Sequence, residues 1–470
     1  MTGHGFNEAV EVLFRKNAGT VRGAATREET PELMREYVQA CGLEEELTRL
    51  PVVRIAGTKG KGSTAAFTES VLRSHGLNTG LFTSPHLVSP CERLQINGRP
   101  VSQEAFASHF WALEKALASH QGPPPTFFNY LTLMALRCFR EGRVDVAVME
   151  CGVGARYDST AVFSGLVNAV TAIDYDHTHV LGSTLPAIAR EKAFVFSPSR
   201  PALASPQSPD VTAALSHVAS LRGALPLETV ALHPLLRSAS SSSSSSSPLG
   251  IAGPHQLLNA SLALRVCQHL IPMLPSCPKP FTPSLALAAL SSTRWPGRTQ
   301  LLLWRHPFSS SLTPQICFFL DGAHTPKSMA VCLQWYQNHQ FQTLFQTETE
   351  TETEKLERIP QILLFGCNAQ YRSAEELFRP CATLPWDAVL LCGLSPSDAE
   401  RCAALLPSSC PPPLCLPSVP AALPWLSSNS LGPNIHVLAT GSLHLVGDLF
   451  RTLRVDPYAP LPNPTEGQTK

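Results

Sequence analysis

The chain has 470 residues, too many for one ordinary hydrophobic core, so we expect it to fold into two or three domains. Its 36 Lys and Arg residues balance its 36 Asp and Glu residues, so no net charge attracts it to nucleic acid or acidic lipid. Its 14 cysteines include no C-x-x-C pair and no apolar stretch reaches the length of a membrane span, which argues against a structural zinc site, a disulfide scaffold and an integral membrane segment.

The opening of the chain predicts helices that lead into a buried strand. Apolar residues recur at intervals of three and four from about Phe6 to Leu50, as on one face of an amphipathic helix. The run from Val52 to Ala56 is apolar except for Arg54, which is typical of a strand covered on both faces.

A glycine-rich loop joins this strand to a predicted helix. Glycines stand at positions 57, 60 and 62, and without Cβ atoms their backbone can approach a polyphosphate at a helix N-terminus. Lys61 would reach the outer phosphates, and the hydroxyl of Ser63 or Thr64 would bind magnesium. The strand, loop and helix together indicate a nucleotide site.

The loop departs from the strict pattern G-x-x-x-x-G-K-[ST]. Ile55 stands where the first glycine is expected, and Gly62 separates Lys61 from Ser63. The alternative interpretation is a flexible glycine turn of an α/β protein that binds no nucleotide. The flanking strand and helix favour the phosphate loop.

Strands and helices alternate over the next part of the chain, which predicts an α/β fold with a doubly wound, mainly parallel sheet. The predicted strands are Asn78 to Ser84, a hairpin over Glu92 to Val101, Val144 to Glu150 and Leu166 to Ile173; the predicted helices are Phe106 to Ala118 and Phe127 to Phe139. In such a sheet, ligands lie outside the carboxyl ends of the strands.

Polar residues follow several of these strands. Ser84, Glu150 and His177 come at or shortly after strand ends, so one parallel sheet would bring them to the edge that carries the glycine loop. A carboxylate, a hydroxyl and an imidazole beside a phosphate loop form a plausible magnesium environment, in which the imidazole is the less usual ligand. Singly, each has a structural alternative, because a strand-terminal Glu is often solvated and a Ser before Pro often caps a turn.

A second domain begins near Thr299. Four apolar runs, each typical of a buried strand, indicate another α/β sheet: Ile316 to Leu320, Ile362 to Phe365, Ala388 to Leu391 and His436 to Ala439. Two low-complexity segments, Arg237 to Pro248 and Gln346 to Lys355, are predicted to be solvated loops because they cannot bury apolar surface.

Ten motifs, in chain order, resemble those of the folylpolyglutamate synthases, the animal enzymes in particular. They are GTKGKGS, LFTSPHLV, RLQINGRPVS, VMECGVGARYDST, DHTHVLG, AREKA, GPHQLLNASLAL, WPGRTQ, LDGAHT and VLATGSLHLVG. The resemblance runs from about residue 6 to about residue 453. These synthases belong to the Mur-ligase family of ATP-dependent amide-bond ligases.

The resemblance implies a fold and a reaction. Residues 1–298 would form a Mur-ligase-like P-loop ATPase domain with the folate and metal sites, and residues 299–470 a smaller, Rossmann-like α/β domain that closes on ATP and glutamate. The enzyme would add L-glutamate to the γ-carboxyl of a tetrahydrofolate (poly)glutamate through an acyl phosphate, giving ADP and phosphate. It would use Mg²⁺, with a monovalent cation as a further candidate.

The resemblance also implies partners, while the scattered cysteines indicate a reducing, cytosol-like compartment. The substrates would be ATP, L-glutamate and a reduced folate, bound by a monomer that has no nucleic-acid partner. We expect a cytoplasmic protein, and a mitochondrial form made from another start site stays open.

Roles in the family can be carried to matching residues of this chain. The expected ATP-binding residues are Thr58, Lys59, Gly60, Lys61, Gly62, Ser63, His255, Gln256, Asn259, Arg298 and Asp321. The expected magnesium ligands are Ser84, Glu150 and His177, with Ser63 from the phosphate loop. The expected catalytic residues are Lys61, Lys192 and His324, and Lys192 matches the lysine that is carbamylated in bacterial relatives.

Some residues depart from the family pattern. Ala155 replaces a glycine, Arg156 is bulky and charged, Ala161 replaces an asparagine, and Phe194 and Val195 stand where Gly-Ile is usual. Two alternatives therefore stay open beside the active synthase. One is a related ligase that adds another amino acid or acts on dihydropteroate, and the other is a catalytically weak paralogue that binds folate or nucleotide.

Overall fold

A computed structural model describes residues 5–16, 26–240, 249–304, 315–340, 358–367, 373–428 and 434–459. The chain divides into two compact units. The first comprises Met1–Gly250 and His255–Thr293, and the second comprises Ile251–Pro254 and Arg294–Lys470.

In the described part of the first unit, eight strands form one sheet in the order β4-β3-β2-β5-β1-β6-β7-β8. The strands are β1 Val52–Ala56, β2 Thr79–Phe82, β3 Leu94–Ile96, β4 Arg99–Pro100, β5 Val146–Glu150, β6 Val167–Val170, β7 Ala202–Ala204 and β8 Glu228–Thr229. The pairings from β2 to β8 are parallel, and the β3–β4 hairpin is antiparallel to β2. The prediction of a mainly parallel α/β sheet is confirmed, while β7 and β8 were not predicted.

The helices of this unit connect the strands and cover the sheet. They are α1 Phe6–Arg15, α2 Thr30–Ala40, α3 Glu44–Arg49, α4 Lys61–Ser74, α5 Gln103–Leu117, α6 Phe127–Glu141, α7 Thr178–Leu181, α8 Leu185–Ala193, α9 Pro209–Leu221, α10 Pro234–Ser240, α11 Pro254–Leu270 and α12 Pro283–Ser292. One apolar cluster joins helices α1, α2, α5 and α6 to Phe82 and Met149 of the sheet. Another joins α8 and α9 to Ala56 and Val170.

In the described part of the second unit, six strands form a sheet in the order β13-β12-β11-β14-β10-β9. The strands are β9 Gln300–Trp304, β10 Gln315–Asp321, β11 Gln361–Phe365, β12 Ala388–Cys392, β13 Leu414–Leu416 and β14 Asn434–Thr440. The helices are α13 Pro326–Gln340, α14 Ala374–Phe378, α15 Pro396–Ala403, α16 Ala422–Ser428 and α17 Leu443–Leu453. All four predicted strands are present, and β9 is antiparallel to β10.

The serine-rich segment is only partly as predicted. Arg237 belongs to α10, because Leu236 of this helix is fully buried and anchors it. The remainder, 241–248, and the segment 346–355 lie outside the described residues. None of the described helices combines the length and hydropathy that a bilayer span requires.

Candidate active site

The loop between β1 and α4 requires glycine at two positions. Gly57 has φ +143°, and a Cβ there would lie 1.9 Å from Oγ1 of Thr171. Gly60 has φ +87°, and a Cβ there would lie 2.3 Å from Oδ1 of Asn259. Both values are far below van der Waals contact, so the backbone path of this loop depends on these glycines.

Replacing Gly60 by alanine should weaken ATP binding, because the loop or Asn259 must move to admit the methyl group. Backbone strain of this kind costs roughly 1–3 kcal/mol, so we expect the dissociation constant for ATP, measured by calorimetry, to rise about tenfold or more. The control is Gly5→Ala, where nothing lies within 4 Å of the new methyl group. Unchanged ATP affinity in Gly60→Ala would show that this loop does not hold the nucleotide.

The start of the loop is tied to the end of β6. The backbone N–H groups of Thr58 and Lys59 both donate to the carbonyl of Ala172, at 2.9 and 3.1 Å, and the Thr58 hydroxyl donates to the carbonyl of Asp174 at 3.0 Å. The N–H groups of Thr58 and Lys59 therefore hold the first half of the loop in place and are not available to a ligand. The amides that follow, at the N-terminus of α4, are the ones a helix leaves for an anion.

Helix α11 supports the loop from the side. Nε2 of Gln256 donates to Oγ of Ser63 at 3.3 Å, and Nδ2 of Asn259 donates to Oε1 of Gln256 at 2.9 Å. Both amide side chains are buried, and Asn259 packs against Gly60. His255 is exposed on the first turn of the same helix.

The ends of β2 and β5 bring together Ser84, Glu150 and Lys61. The backbone N–H of Ser84 donates to Oε2 of Glu150 at 3.1 Å, and Nζ of Lys61 lies 3.7 Å from Oε1 of the same carboxylate. The side chain of Glu150 is only 3% exposed. A buried carboxylate thus lies at the mouth of the glycine loop, as the order of the strands predicts.

Lys192 of α8 approaches the loop from another side. Its Nζ donates to the carbonyl of Gly57 at 2.7 Å, and the residue is buried. Burial, followed by the positive charge of Lys61, lowers the pKa of Lys192 to about 8. The lowered pKa makes the neutral amine more abundant near neutral pH, and the neutral amine is the form that reacts with carbon dioxide.

His177 precedes α7 in a left-handed backbone conformation, with φ +47°. Partial burial lowers its pKa, and the charges of Lys192 and Lys61 act in the same direction, while Asp176 opposes them. The imidazole is therefore neutral at pH 7, which is the form that binds metals. Its side chain is 43% exposed and lies 3.9 Å from the carboxylate of Asp176.

The predicted magnesium ligands form a sparse donor set. Within the described ranges, no group of three or more His, Cys, Asp or Glu side chains is arranged to hold a metal. Glu150, with the hydroxyls of Ser84 and Ser63, nevertheless offers the hard oxygen donors that Mg²⁺ prefers. A site of this kind is completed by water and by phosphate oxygens of a nucleotide, so these residues fit a magnesium ion that arrives with ATP.

In the second unit, Arg298, Asp321 and His324 lie around the end of β10. Oδ2 of Asp321 accepts a hydrogen bond from the backbone N–H of Thr299 at 2.9 Å, and burial raises the pKa of this carboxyl against the lowering effect of Arg298. Nδ1 of His324 lies 2.7 Å from the carbonyl of Gly322, to which it donates a hydrogen bond.

Two departures from the family pattern compensate each other. The guanidinium of Arg156 lies 4.5 Å over the ring of Phe194, and its Nη1 is 3.5 Å from Oε1 of Glu191. Ala155 is fully buried in an apolar cluster and does not have a positive φ. Because alanine fits here without backbone strain, the substitution gives no reason for Glu150 to be misplaced.

Restoring glycine with Ala155→Gly should destabilise the protein without raising its activity. The loss of a buried methyl group and the extra backbone freedom of glycine together cost roughly 1–2 kcal/mol in the free energy of unfolding. Urea denaturation and folate-dependent ADP release measure the two quantities. Higher activity in Ala155→Gly would contradict this account and favour the weak paralogue.

Two arginines beside these loops were not predicted as functional residues. Arg27 donates to the carbonyls of Val153 and Val180 and lies 3.6 Å from Oε2 of Glu191, so it joins the loop after Glu150 to α7. Arg93 is buried directly before β3. The motif RLQINGRPVS contains Arg93, but a sequence gives no sign that a guanidinium is buried.

Comparisons with known proteins show what the chain is similar to. No family model matches the chain. A putative folylpolyglutamate synthase of Caenorhabditis elegans is 32% identical over 496 residues, covering 95% of this chain and 92% of the relative. The mitochondrial folylpolyglutamate synthase of Cricetulus griseus is 31% identical over 551 residues, again covering 95% and 92%. The solved structure of Mycobacterium tuberculosis folylpolyglutamate synthase complexed with ADP has the same fold, with a TM-score of 0.71, 21% identity and coverage of 96% of this chain and 99% of that one.

Proposed function

Because the chain belongs to the folylpolyglutamate synthase family, we propose that its glycine loop and the residues around Glu150 activate a folate carboxyl with ATP. The chain is an ATP-dependent ligase that adds L-glutamate to the γ-carboxyl of tetrahydrofolate (poly)glutamates, with ADP and phosphate as products. The observation that carries the assignment of residues is the meeting of Lys61, Glu150 and Ser84 at the mouth of the loop.

The first step transfers the γ-phosphoryl group of ATP to the folate γ-carboxylate. A carboxylate is a poor acyl donor, and the mixed anhydride formed with phosphate can be attacked by an amine. The protein positions the two anions and neutralises the charge that develops between them. The amides of Gly60 to Ser63 would hold the phosphates, and Lys61 would lie nearest the transferring group.

Ser63, Ser84, Glu150 and His177 would hold Mg²⁺. When bound, the ion would neutralise phosphate oxygens and favour their approach to the folate carboxylate. Nζ of Lys61, 3.7 Å from Oε1 of Glu150, partly compensates the charge of this carboxylate. The backbone N–H of Ser84 donates to Oε2 and orients the same carboxylate.

Glu150→Gln should raise the magnesium concentration that gives half-maximal activity by about tenfold or more, because an amide replaces the charged ligand. The measurement is a magnesium titration of ADP release at saturating ATP. Glu32→Gln, at a side chain that is 69% exposed and paired only with Arg35 among the described contacts, is the control. An unchanged magnesium requirement in Glu150→Gln would remove Glu150 from the metal site.

The second step is attack by the amino group of L-glutamate on the acyl phosphate, which passes through a tetrahedral intermediate and releases phosphate. For Arg298, Asp321 and His324 the roles implied by the family stay predictions.

Folate-dependent release of ADP distinguishes this function from the weak paralogue. We expect continued, multiple-turnover release of ADP only when ATP, a reduced folate and L-glutamate are all present. A folded protein that binds ATP or folate without releasing ADP would instead be a binding paralogue. The same assay with other amino acids in place of L-glutamate, or with dihydropteroate in place of the folate, tests whether the chain is one of the related ligases.

A further inference from the structure

Arg93 lies at the same edge of the sheet as the candidate active site. Strand β3 pairs with β2 so that Leu94 faces Phe82, and the backbone N–H of Thr83 donates to the carbonyl of Arg93 at 3.2 Å. The next residue, Ser84, donates its own N–H to Glu150. The backbone of Arg93 is therefore one hydrogen bond away from the strand end that holds Ser84.

The side chain of Arg93 is largely buried, and among the described contacts its guanidinium makes one hydrogen bond. The residue is 8% exposed, its Nε donates to Nδ1 of His86 at 2.8 Å, and its centre lies 5.2 Å over the ring of Phe127. The hydrogen bonds of the described residues include no acceptor for its two Nη atoms, and neither atom is among the buried atoms left without a partner, so both are accessible from solvent. Burial lowers the pKa of Arg93 to about 10, so the group is still charged at pH 7.

The two nearby carboxylates, Glu92 and Glu150, act on Arg93 through their charge, but among the described contacts their hydrogen bonds go to other groups. Glu92 accepts hydrogen bonds from the backbone N–H groups of Leu87, Val88 and Ser89, at 2.7–2.8 Å. Glu150 is shared between Ser84 and Lys61. Nη donors that are accessible from solvent, on a side chain that is otherwise buried, are placed to bind an anion that approaches them. Arg93 thus has the properties of a residue that binds an anionic ligand.

Aromatic rings near Arg93 indicate which of the two glutamate substrates this residue binds. Phe14 is 41% exposed, and its ring lies 5.4 Å from the ring of Phe127 and 6.2 Å from that of His86. Of the two glutamates that the reaction joins, only the glutamate of the folate is attached to an aromatic group. An arginine beside exposed aromatic surface therefore fits the folate better than the free amino acid.

We propose that Arg93 binds the α-carboxylate of the terminal glutamyl residue of the folate substrate. The inference rests on the proposed function and names the part of the substrate that this residue recognises. The planar guanidinium can bind a carboxylate through two parallel hydrogen bonds. Holding the unreactive α-carboxylate in this way leaves the γ-carboxylate free to face the phosphate loop.

The test compares two folate substrates that differ only in this carboxylate. They are tetrahydropteroylglutamate and tetrahydropteroyl-4-aminobutyrate, which keeps the reacting carboxyl and lacks the α-carboxylate. The variants are Arg93→Met, which removes the charge at similar length, and Arg93→Lys, which keeps the charge without the planar fork. Arg137→Met is the control, because Arg137 forms an ion pair with Glu141 on α6.

The wild type and Arg137→Met should prefer the glutamate form in kcat/KM by about 10- to 100-fold, the usual value of hydrogen bonds to a charged group. In Arg93→Met, kcat/KM should fall for the glutamate form and stay unchanged for the aminobutyrate form, so that most of the preference is lost. Arg93→Lys should keep part of the preference. Equal losses on both substrates, or a change confined to the KM for free L-glutamate, would overturn the proposal.

Equilibrium binding of the same two folates, without ATP, separates this inference from the proposed function. If no protein form makes product but the wild type binds the glutamate form more tightly and Arg93→Met does not, the ligase assignment fails and the role of Arg93 stands. If binding of both folates is the same in the wild type and in Arg93→Met, the role of Arg93 fails. An Arg93→Met protein that does not fold is replaced in both assays by Arg93→Lys, for which an unchanged preference would contradict the proposal.

Discussion

Replacing Lys61 by alanine should lower glutamate incorporation by about 100- to 1,000-fold, the usual effect of removing one group that stabilises transition-state charge. Lys61 begins α4, its side chain is 16% exposed, and Nζ lies 3.7 Å from Oε1 of Glu150. It is the loop cation that a phosphoryl group moving towards a carboxylate would approach. ATP affinity should fall less than turnover, because the loop amides still hold the other phosphates.

Lys59→Ala is the matched comparison for this prediction, since it removes the same charge from the same loop. The backbone of Lys59 is fixed by Ala172, two residues before α4 begins. We expect a loss of about tenfold or less, as for a charge that acts on binding alone. Equal losses in Lys59→Ala and Lys61→Ala would mean that the net charge of the loop matters, and that Lys61 has no specific role in phosphoryl transfer.

Lys192→Ala should lower activity by about 100-fold, and the wild-type activity should depend on bicarbonate. A buried ammonium close to Lys61 opposes the binding of Mg²⁺, whereas a carbamate would place an anion there. The amine with a pKa of about 8 is available for that modification in the folded protein. Peptide mass spectra recorded under conditions that retain carbon dioxide test the modification directly. Unmodified Lys192 in fully active protein would contradict it.

The pKa of Lys192 also predicts a pH dependence of stability. The pKa is lowered from its ordinary 10.5 to about 8, so the unfolded chain binds the proton more strongly than the folded protein between these values. The free energy of unfolding therefore rises with pH from about 8 to about 10.5, and below pH 8 the buried charge lowers stability in full. Relative to Lys192→Met, the wild type should gain about 3 kcal/mol between pH 7 and 10.5, measured by urea denaturation without carbon dioxide.

The strands that position the site could be predicted because both of their faces are buried. Val52–Ala56 and Val146–Glu150 are nearly continuous apolar runs, and every residue of both strands is buried. Once these strands are parallel, Glu150 and the glycine loop must lie at the same edge of the sheet. Short strands such as Ala202–Ala204 and Glu228–Thr229 give no such signal and were missed.

The residues that hold the site residues in place could not be predicted from the local sequence pattern. Gln256 reaches Ser63 across almost 200 positions of sequence, and only the resemblance to a family suggested that the two are related. The roles of Arg27 and Arg93 depend on burial and on which neighbouring carboxylates are already engaged. The departure at Ala155 was a reason for doubt in the sequence, and its normal backbone conformation and its packing remove that reason.

The most direct test of the account is the mass of the folate after incubation of the purified protein with Mg²⁺, ATP, tetrahydrofolate and isotopically labelled L-glutamate. The account predicts a folate that has gained one or more labelled glutamyl units, with one ADP formed for each, and almost none with Lys61→Ala. A folded protein that binds ATP and leaves the mass of the folate unchanged would contradict it.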